Sequence, residues 1–199
     1  MTDLADRRDV QTDLYEPAED SLMLAQAAVE AVASTDCVLD VGTGSGFVAD
    51  RIRRETGARV VGSDVNPNAC RSAARRGIEA VRADLVEPFR ANVFDVVTFN
   101  PPYLPADDDA TRDDWMEAAL TGGETGRAVI DPFLETVGRV LAPDGRVFLV
   151  ASTLSDLDAV TARAEREGFE PRVVAEESFP FERLVVLALV SAGGNYRDE

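Results

Sequence analysis

Residues 100 to 103, Asn-Pro-Pro-Tyr, follow the apolar run Phe94–Phe99 and place a side-chain amide, two prolines and a phenol in succession. These groups suit a substrate with a planar NH2 group, an amide or an aromatic amine, whose nitrogen is a poor nucleophile because its lone pair is delocalised. Two acceptors, the Asn100 side-chain oxygen and the Pro101 carbonyl, match the two N–H bonds of such a group and would turn its nitrogen toward an electrophile. Pro101 and Pro102 stiffen that carbonyl and add no competing N–H. Tyr103 would lie on the flat face of the bound group. Read alone, the segment is equally a strand ended by Pro-Pro with Asn as a turn residue, so its place among the other elements decides.

A second set of residues supplies that context. Asp40 precedes a glycine turn, Gly42-Thr43-Gly44-Ser45-Gly46, where the backbone can turn sharply and approach a ligand closely. An acidic group aimed at this turn would repel a pyrophosphate and would suit an ammonium group. Asp64 closes the next apolar run, where a carboxylate accepts from both hydroxyls of a ribose. Asp84 closes a third, placed to accept from the exocyclic amine of adenine with Leu85 packed on the ring. Any one of these aspartates would be unremarkable as a helix cap, and the glycine turn alone would equally serve a nicotinamide dinucleotide. Together they point to an adenosyl ligand without phosphates, S-adenosylmethionine, whose methyl sulfonium would be the electrophile beside Asn100.

Composition removes competing chemistries. The chain of 199 residues contains no His, so a His-based triad, a His zinc site and an imidazole base are all excluded. Its two cysteines, Cys37 and Cys70, are too few for a cysteine zinc site and are expected to be ordinary buried residues; no metal is expected. Acidic residues number 37 against 20 basic ones, all Arg, for a net charge of −17. That surplus argues against nucleic acid as a partner. Its plainer meaning is adaptation to a cytoplasm at molar salt, where a Debye length of roughly 3 Å nearly abolishes steering by charge. The apolar run Leu184–Val190 is far short of a membrane helix, and the acidic N-terminus has no apolar signal core, so a cytoplasmic protein is expected.

The elements that must position these groups alternate along the chain. Helical spacing covers Ala18–Ala33, the region from the glycine turn to Thr56, Asn66–Arg76, Gly126–Leu141 with a start near Asp131 or a kink at Pro132, and Ser155–Glu167. Strands are expected at Cys37–Val41, Arg59–Asp64, Glu79–Asp84, Phe94–Phe99, Gly145–Ser152, Arg172–Glu176 and Arg183–Val190. This alternation predicts an α/β fold with a mostly parallel seven-stranded sheet and helices on both faces. The last two strands have no helix between them, so the final strand should run antiparallel. A single domain over 1–199 is expected, with flexible ends at 1–9 and 191–199.

At this point the chain resembles a known family. The segments Tyr15–Leu24 (YEPAEDSLML), DVGTGSG, SDVNPNA, FNPPYLP and Gly122–Leu134 (GGETGRAVIDPFL) are together similar to HemK-like release-factor glutamine methyltransferases of the archaeal and eukaryotic branch. The resemblance implies a class I, Rossmann-like methyltransferase fold and N5-methylation of the glutamine in the Gly-Gly-Gln loop of class 1 translation release factors. Carried across residue by residue, it implies cofactor contacts at Ser21, Asp40, Gly42, Asp64, Asp84, Leu85 and Asn100, beside the Gly44 of the glycine turn. Asn100, Pro101, Pro102 and Tyr103 would hold the substrate glutamine, with Asn100, Pro101 and Tyr103 as the catalytic set. It also implies a heterodimer with a small zinc-binding activator protein. The acidic stretch Ala106–Trp115 maps onto no substrate contact, and Asp40 stands where many relatives carry Glu. N6-methylation of adenine in DNA or RNA is the alternative that the Asn-Pro-Pro-Tyr segment alone allows, and the acidic composition suggests a halophilic archaeal source.

Overall fold

Seven apolar runs become the strands of one sheet in a computed structural model of the chain, which describes residues 19–104 and 122–192. The strands are β1 Cys37–Val41, β2 Arg59–Asp64, β3 Glu79–Arg82, β4 Phe94–Phe99, β5 Leu141–Ser152, β6 Phe169–Phe179 and β7 Glu182–Ser191. Their spatial order is β3-β2-β1-β4-β5-β7-β6. β1 pairs in parallel with β2 and with β4, and parallel pairing continues from β2 to β3 and from β4 to β5. β7 lies antiparallel between β5 and β6, as expected for a strand joined to its predecessor by a short turn. The chain leaves β1 toward β2 and β3, then returns to place β4 on the other side. The crevice between the carboxyl ends of β1 and β4 is therefore the switch point, where ligands bind in sheets of this kind.

Five helices cover the sheet among the described residues: α1 Glu19–Ala31, α2 Phe47–Thr56, α3 Pro67–Arg75, α4 Ile130–Val137 and α5 Leu157–Arg166. The central strands are apolar on both faces because alternate side chains feed two separate layers. Leu39, Val41, Val97 and Phe99 meet Ile130, Phe133 and Leu134 of α4 and Val160 of α5. On the other face Val38, Val60, Val96 and Phe148 meet Leu24 and Ala28 of α1, Ile52 of α2 and Ala73 of α3. α3 starts where Pro67 occupies the first turn and the Asn66 side chain accepts from the Asn68 N–H at 2.8 Å.

Several boundaries differ from those the sequence suggests. α4 is only Ile130–Val137, because Gly122–Arg127 forms turns and Leu141 already pairs with Phe94 as the start of β5. β5 then shifts register before Arg146 pairs with Val96, so four residues precede the expected start at Gly145. Thr153–Ser155 forms a separate 3-10 turn before α5. β3 ends at Arg82, which leaves Asp84 two residues beyond the strand. Cys37 and Cys70 are half-buried rather than buried; both thiols are free, and desolvation raises each above its ordinary value. Ser191, the first residue of the expected flexible C-terminal segment 191–199, is the last residue of β7, opposite Phe169. Of the expected flexible segments 1–9 and 191–199, all but Ser191 and Ala192 lie outside the described residues, as do Tyr15–Ala18 and the acidic stretch Ala106–Trp115.

Phe99, directly before Asn100, stacks on Phe133 with ring centroids 4.5 Å apart and planes at 49°. Both rings are buried, so α4 anchors the strand end from beneath. Phe133→Ala is expected to lower stability by about 3–5 kcal/mol, read as a fall in the urea midpoint with little change in slope.

Candidate active site

The glycine turn is organised from below by a carboxylate. Asp40 is level with Gly62 of β2 and Thr98 of β4 in the sheet register. Its Oδ1 accepts from the Thr98 hydroxyl at 2.8 Å and its Oδ2 from the Thr43 hydroxyl at 2.7 Å. The group is 3% exposed, and burial pushes its pKa up to about 6 although both hydroxyls favour the charged form. Asp40 thus ties the turn to β4 as well as carrying negative charge near it. Thr43 completes the arrangement: its N–H donates to the Ser63 carbonyl at 2.9 Å, and a Cβ at Gly62 would lie 2.9 Å from its methyl group. Thr43, Thr98 and Gly62 were not singled out in the sequence. The only signal was a hydroxyl inside an otherwise apolar strand run.

Gly46 and Gly44 require glycine for different reasons. Gly46 has φ of +80°, and an added Cβ would lie 2.8 Å from the Ala73 Cα, so it permits α2 and α3 to approach. Gly44 has φ of +54°, yet a Cβ there would meet nothing nearer than the Gly42 carbonyl at 3.9 Å. Open space therefore faces the turn at Gly44, a cradle that a side chain would fill. Gly42 also has positive φ, and a Cβ on it would press on the Phe99 ring at 3.3 Å.

Asp64 stands at the end of β2 beside this cradle. Its Oδ2 accepts from the Gly44 N–H at 2.9 Å and its Oδ1 from the Asn66 N–H at 2.8 Å. Burial raises its carboxyl above the ordinary value, and these N–H bonds act in the opposite direction. The Val65 N–H also bonds this carboxylate, and its acceptor capacity of about four bonds still leaves room for a ribose hydroxyl. The Ala83 N–H donates to the Asp64 carbonyl at 3.0 Å and so joins the end of β3 to the same edge. Beyond it Asp84 is exposed, while Leu85 is half-buried against the core with φ of +46°.

Asn100 to Tyr103 leave β4 next to α1. The Asn100 Nδ2 donates to the Ser21 hydroxyl at 3.2 Å, and the Tyr103 hydroxyl donates to Asp20 Oδ2 at 3.3 Å. The Asn100 Oδ1 is buried and has no partner among the described residues, as is true of the Ser63 hydroxyl at the end of β2. In folded proteins such groups are nearly always paired, so this acceptor is open to a donor from a bound ligand. Pro101 is buried, and the Tyr103 ring packs between the two apolar layers. Ser21, whose cofactor role was inferred from resemblance, here sits against Asn100.

The Gly122–Arg127 segment lies directly under this strand end. Its Gly122 N–H donates to the Leu104 carbonyl at 2.8 Å, and a Cβ on Gly126 would fall 2.6 Å from the Tyr103 carbonyl. Arg127 donates to the Ser155 carbonyl at 3.0 Å and ties the loop to the 3-10 turn after β5. The glycines are therefore a close-packed buttress for Tyr103. The structure brings Ser21, Asp40, Gly42, Gly44, Asp64 and Asn100 to Tyr103 to one edge of the sheet, with Asp84 and Leu85 joined to it through Ala83.

The raised Asp40 pKa has a defined consequence for stability. Unfolding releases this carboxyl to its ordinary 3.8, so its favourable contribution is full below that value and is lost as the pH rises through about 6. At 1.36 kcal/mol per tenfold change in proton affinity, the move from 3.8 to about 6 amounts to about 3 kcal/mol. Asp40→Asn is neutral at every pH, and its hydroxyl partners can reorient. The variant without ligand is expected to be more stable than the parent at pH 7.5 by up to this amount, the difference fading toward pH 4. Urea denaturation at several pH values measures it.

Comparison with known proteins agrees with this geometry. A family described as "Methyltransferase domain" matches residues 38–123. The chain is 33% identical to a Methanocaldococcus jannaschii protein provisionally named a protein N5-glutamine methyltransferase, over 88% of this chain and 90% of that protein. It is 30% identical to human methyltransferase HEMK2, over 88% and 89% of the two chains. Among solved structures, the E. cuniculi Mtq2–Trm112 complex, described as responsible for methylation of the translation termination factor eRF1, matches with a TM-score of 0.75 and 32% identity over 90% of this chain and 99% of the matched chain. With similarity of this level along nearly its whole length, the chain belongs to the HEMK2/Mtq2-like family of protein glutamine methyltransferases.

Proposed function

We propose that this enzyme transfers the methyl group of S-adenosylmethionine to the side-chain nitrogen of the glutamine in the Gly-Gly-Gln loop of a class 1 translation release factor. The observation that carries this reading is the buried Asn100 Oδ1 at the switch point, which has no partner among the described residues. The relatives named for glutamine and eRF1 methylation support it.

The cofactor supplies an electrophilic methyl sulfonium. Asp64 would accept from its ribose hydroxyls with the acceptor capacity that its backbone N–H bonds leave over. The open space at Gly44 would leave room for its amino-acid portion, with Gly42 and Asp40 holding the turn and Ser21 offering its hydroxyl hydrogen. Asp84 and Leu85 would take the adenine edge and face. On the acceptor side, Asn100 Oδ1 and the Pro101 carbonyl accept the two N–H bonds of the glutamine amide. This orients the nitrogen and excludes water that would otherwise solvate it. Tyr103 lines the planar group. No side chain is asked to remove a proton beforehand; the proton lost after transfer leaves to solvent, which suits a site built without His.

The complex of Mtq2 with Trm112 supports a heterodimer here too, with a small zinc-binding activator as the expected partner. We further read the acidic surplus as adaptation to molar salt in a halophilic cytoplasm. On that basis the melting temperature should rise between about 0.1 M and about 3 M KCl, because salt screens the repulsion within a chain of net charge −17.

The decisive experiment incubates the enzyme, co-expressed with the partner, with labelled S-adenosylmethionine and either the release factor or nucleic acid. Label is expected on the Gly-Gly-Gln glutamine; label on adenine instead would overturn the assignment. Asn100→Ala is expected to lower turnover by about 100- to 1,000-fold, comparable to the loss of one oriented transition-state hydrogen bond. Its cofactor affinity should fall much less, as calorimetry would show.

A further inference from the structure

We propose that Asp20 is a positioning residue for methyl transfer, which with its neighbour Ser21 clamps the Asn100–Tyr103 segment in its acceptor geometry. The proposal rests on the function argued above and assigns a role to a residue that the cofactor and substrate contacts leave out.

Asp20 and Ser21 occupy the first turn of α1 and are 4% and 7% exposed. A carboxylate is favoured there by the free N–H groups and positive end of the helix dipole. Asp20 Oδ1 accepts from the Ser21 N–H at 2.5 Å, which orients the carboxylate, and its Oδ2 receives the Tyr103 hydroxyl at 3.3 Å. The next side chain, Ser21, receives the Asn100 Nδ2 at 3.2 Å. Two consecutive residues of one helix therefore hold the first and last members of the four-residue segment, about 80 positions away in sequence.

The chemistry of the clamp follows from donors and acceptors. A carboxamide has one acceptor end and one donor end, and Ser21 engages the donor end. The end left over is Oδ1, the unpartnered buried acceptor. A flipped amide would present N–H to the N–H of an incoming glutamine and would repel it. Tyr103 is held at both ends: Gly126 closes on its backbone carbonyl, and Asp20 takes its hydroxyl. With the ring unable to swing, the Pro101 carbonyl and Asn100 amide keep a constant spacing. Displacements of about 1 Å at such groups cost on the order of 100-fold in rate.

The test uses the enzyme with its partner, the release factor and S-adenosylmethionine, comparing Asp20→Ala, Asp20→Asn, Tyr103→Phe and the Asp20→Ala/Tyr103→Phe double variant. Asp20→Ala and Tyr103→Phe should each lower kcat by about 10- to 100-fold, the size expected for losing a hydrogen bond to a charged group. Because both remove the same bond, the double variant should be no worse than the poorer single variant. Asp20→Asn keeps an oxygen acceptor and should recover most of the rate, with cofactor affinity within about threefold of the parent throughout. Additive losses, a Tyr103→Phe variant at the parent rate, or cofactor affinity falling in step with turnover would each overturn the proposal. If Asp20→Ala does not fold, the same cycle is run with Asp20→Asn, which should add nothing once the Tyr103 hydroxyl is gone. If the parent enzyme fails to label the release factor, the functional reading fails. The clamp is then judged from crystal structures of the parent and Asp20→Asn: the parent must show the Tyr103–Asp20 and Asn100–Ser21 bonds, and their absence refutes it.

Discussion

The site depends on a buried charge. Asp40 lies in the middle of the sheet, where a carboxylate is costly, and it is retained there by two hydroxyls: Thr98 on the adjacent strand β4 and Thr43 in the glycine turn. Those two bonds join the ligand-facing turn after β1 to the strand that carries Asn100. The carboxylate stays partly frustrated, as its pKa of about 6 records, so it contributes geometry at the expense of stability. Thr43 then fills the space above Gly62 and bonds the Ser63 carbonyl, which brings the end of β2 and hence Asp64 into the same frame.

Around that frame the polar side chains of the edge hold one another in place. Asp64 is oriented by the backbone N–H groups of Gly44, Val65 and Asn66, Asn100 by Ser21, and Tyr103 by Asp20 above and Gly126 behind. Among the described residues Asn100 Oδ1 is a buried acceptor at this edge without a partner, the kind of atom a substrate N–H would use, and the Ser63 hydroxyl beside Asp64 is another. An amide nitrogen gains little from a base and much from being held, so this division of labour suits the chemistry. Packing supports the same end: the Phe99–Phe133 pair sits directly beneath the strand end and couples it to α4.

The order of elements, most strand limits and the antiparallel β7 were legible in the chain, because apolar runs of strand length and helical spacing are local properties. The aspartates and the Asn-Pro-Pro-Tyr segment were equally visible, since strand ends are where such sheets place ligands. Boundaries failed where local pattern met a tertiary demand. The apolar residues of Gly126–Ile130 suit a helix, but Gly126 must close on Tyr103, and the helix begins only at Ile130. Leu141 reads as the end of a helix and instead pairs with Phe94.

The sequence by itself determined the chemistry available: no imidazole, no set of metal-binding thiols, and an amide followed by two prolines and a phenol. It also determined, through composition and periodicity, that an α/β sheet would carry those groups to one edge. Only the tertiary structure decided which polar atoms are already engaged. Asp40 faces two threonines, Ser21 and Asp20 hold opposite ends of a segment about 80 residues away, and the Asn100 oxygen has no partner among the described residues. The physical reason is that hydrogen-bond satisfaction is a property of neighbours in space, and those neighbours come from α1, β1 and β4, which are distant in the chain and meet only when the sheet is built.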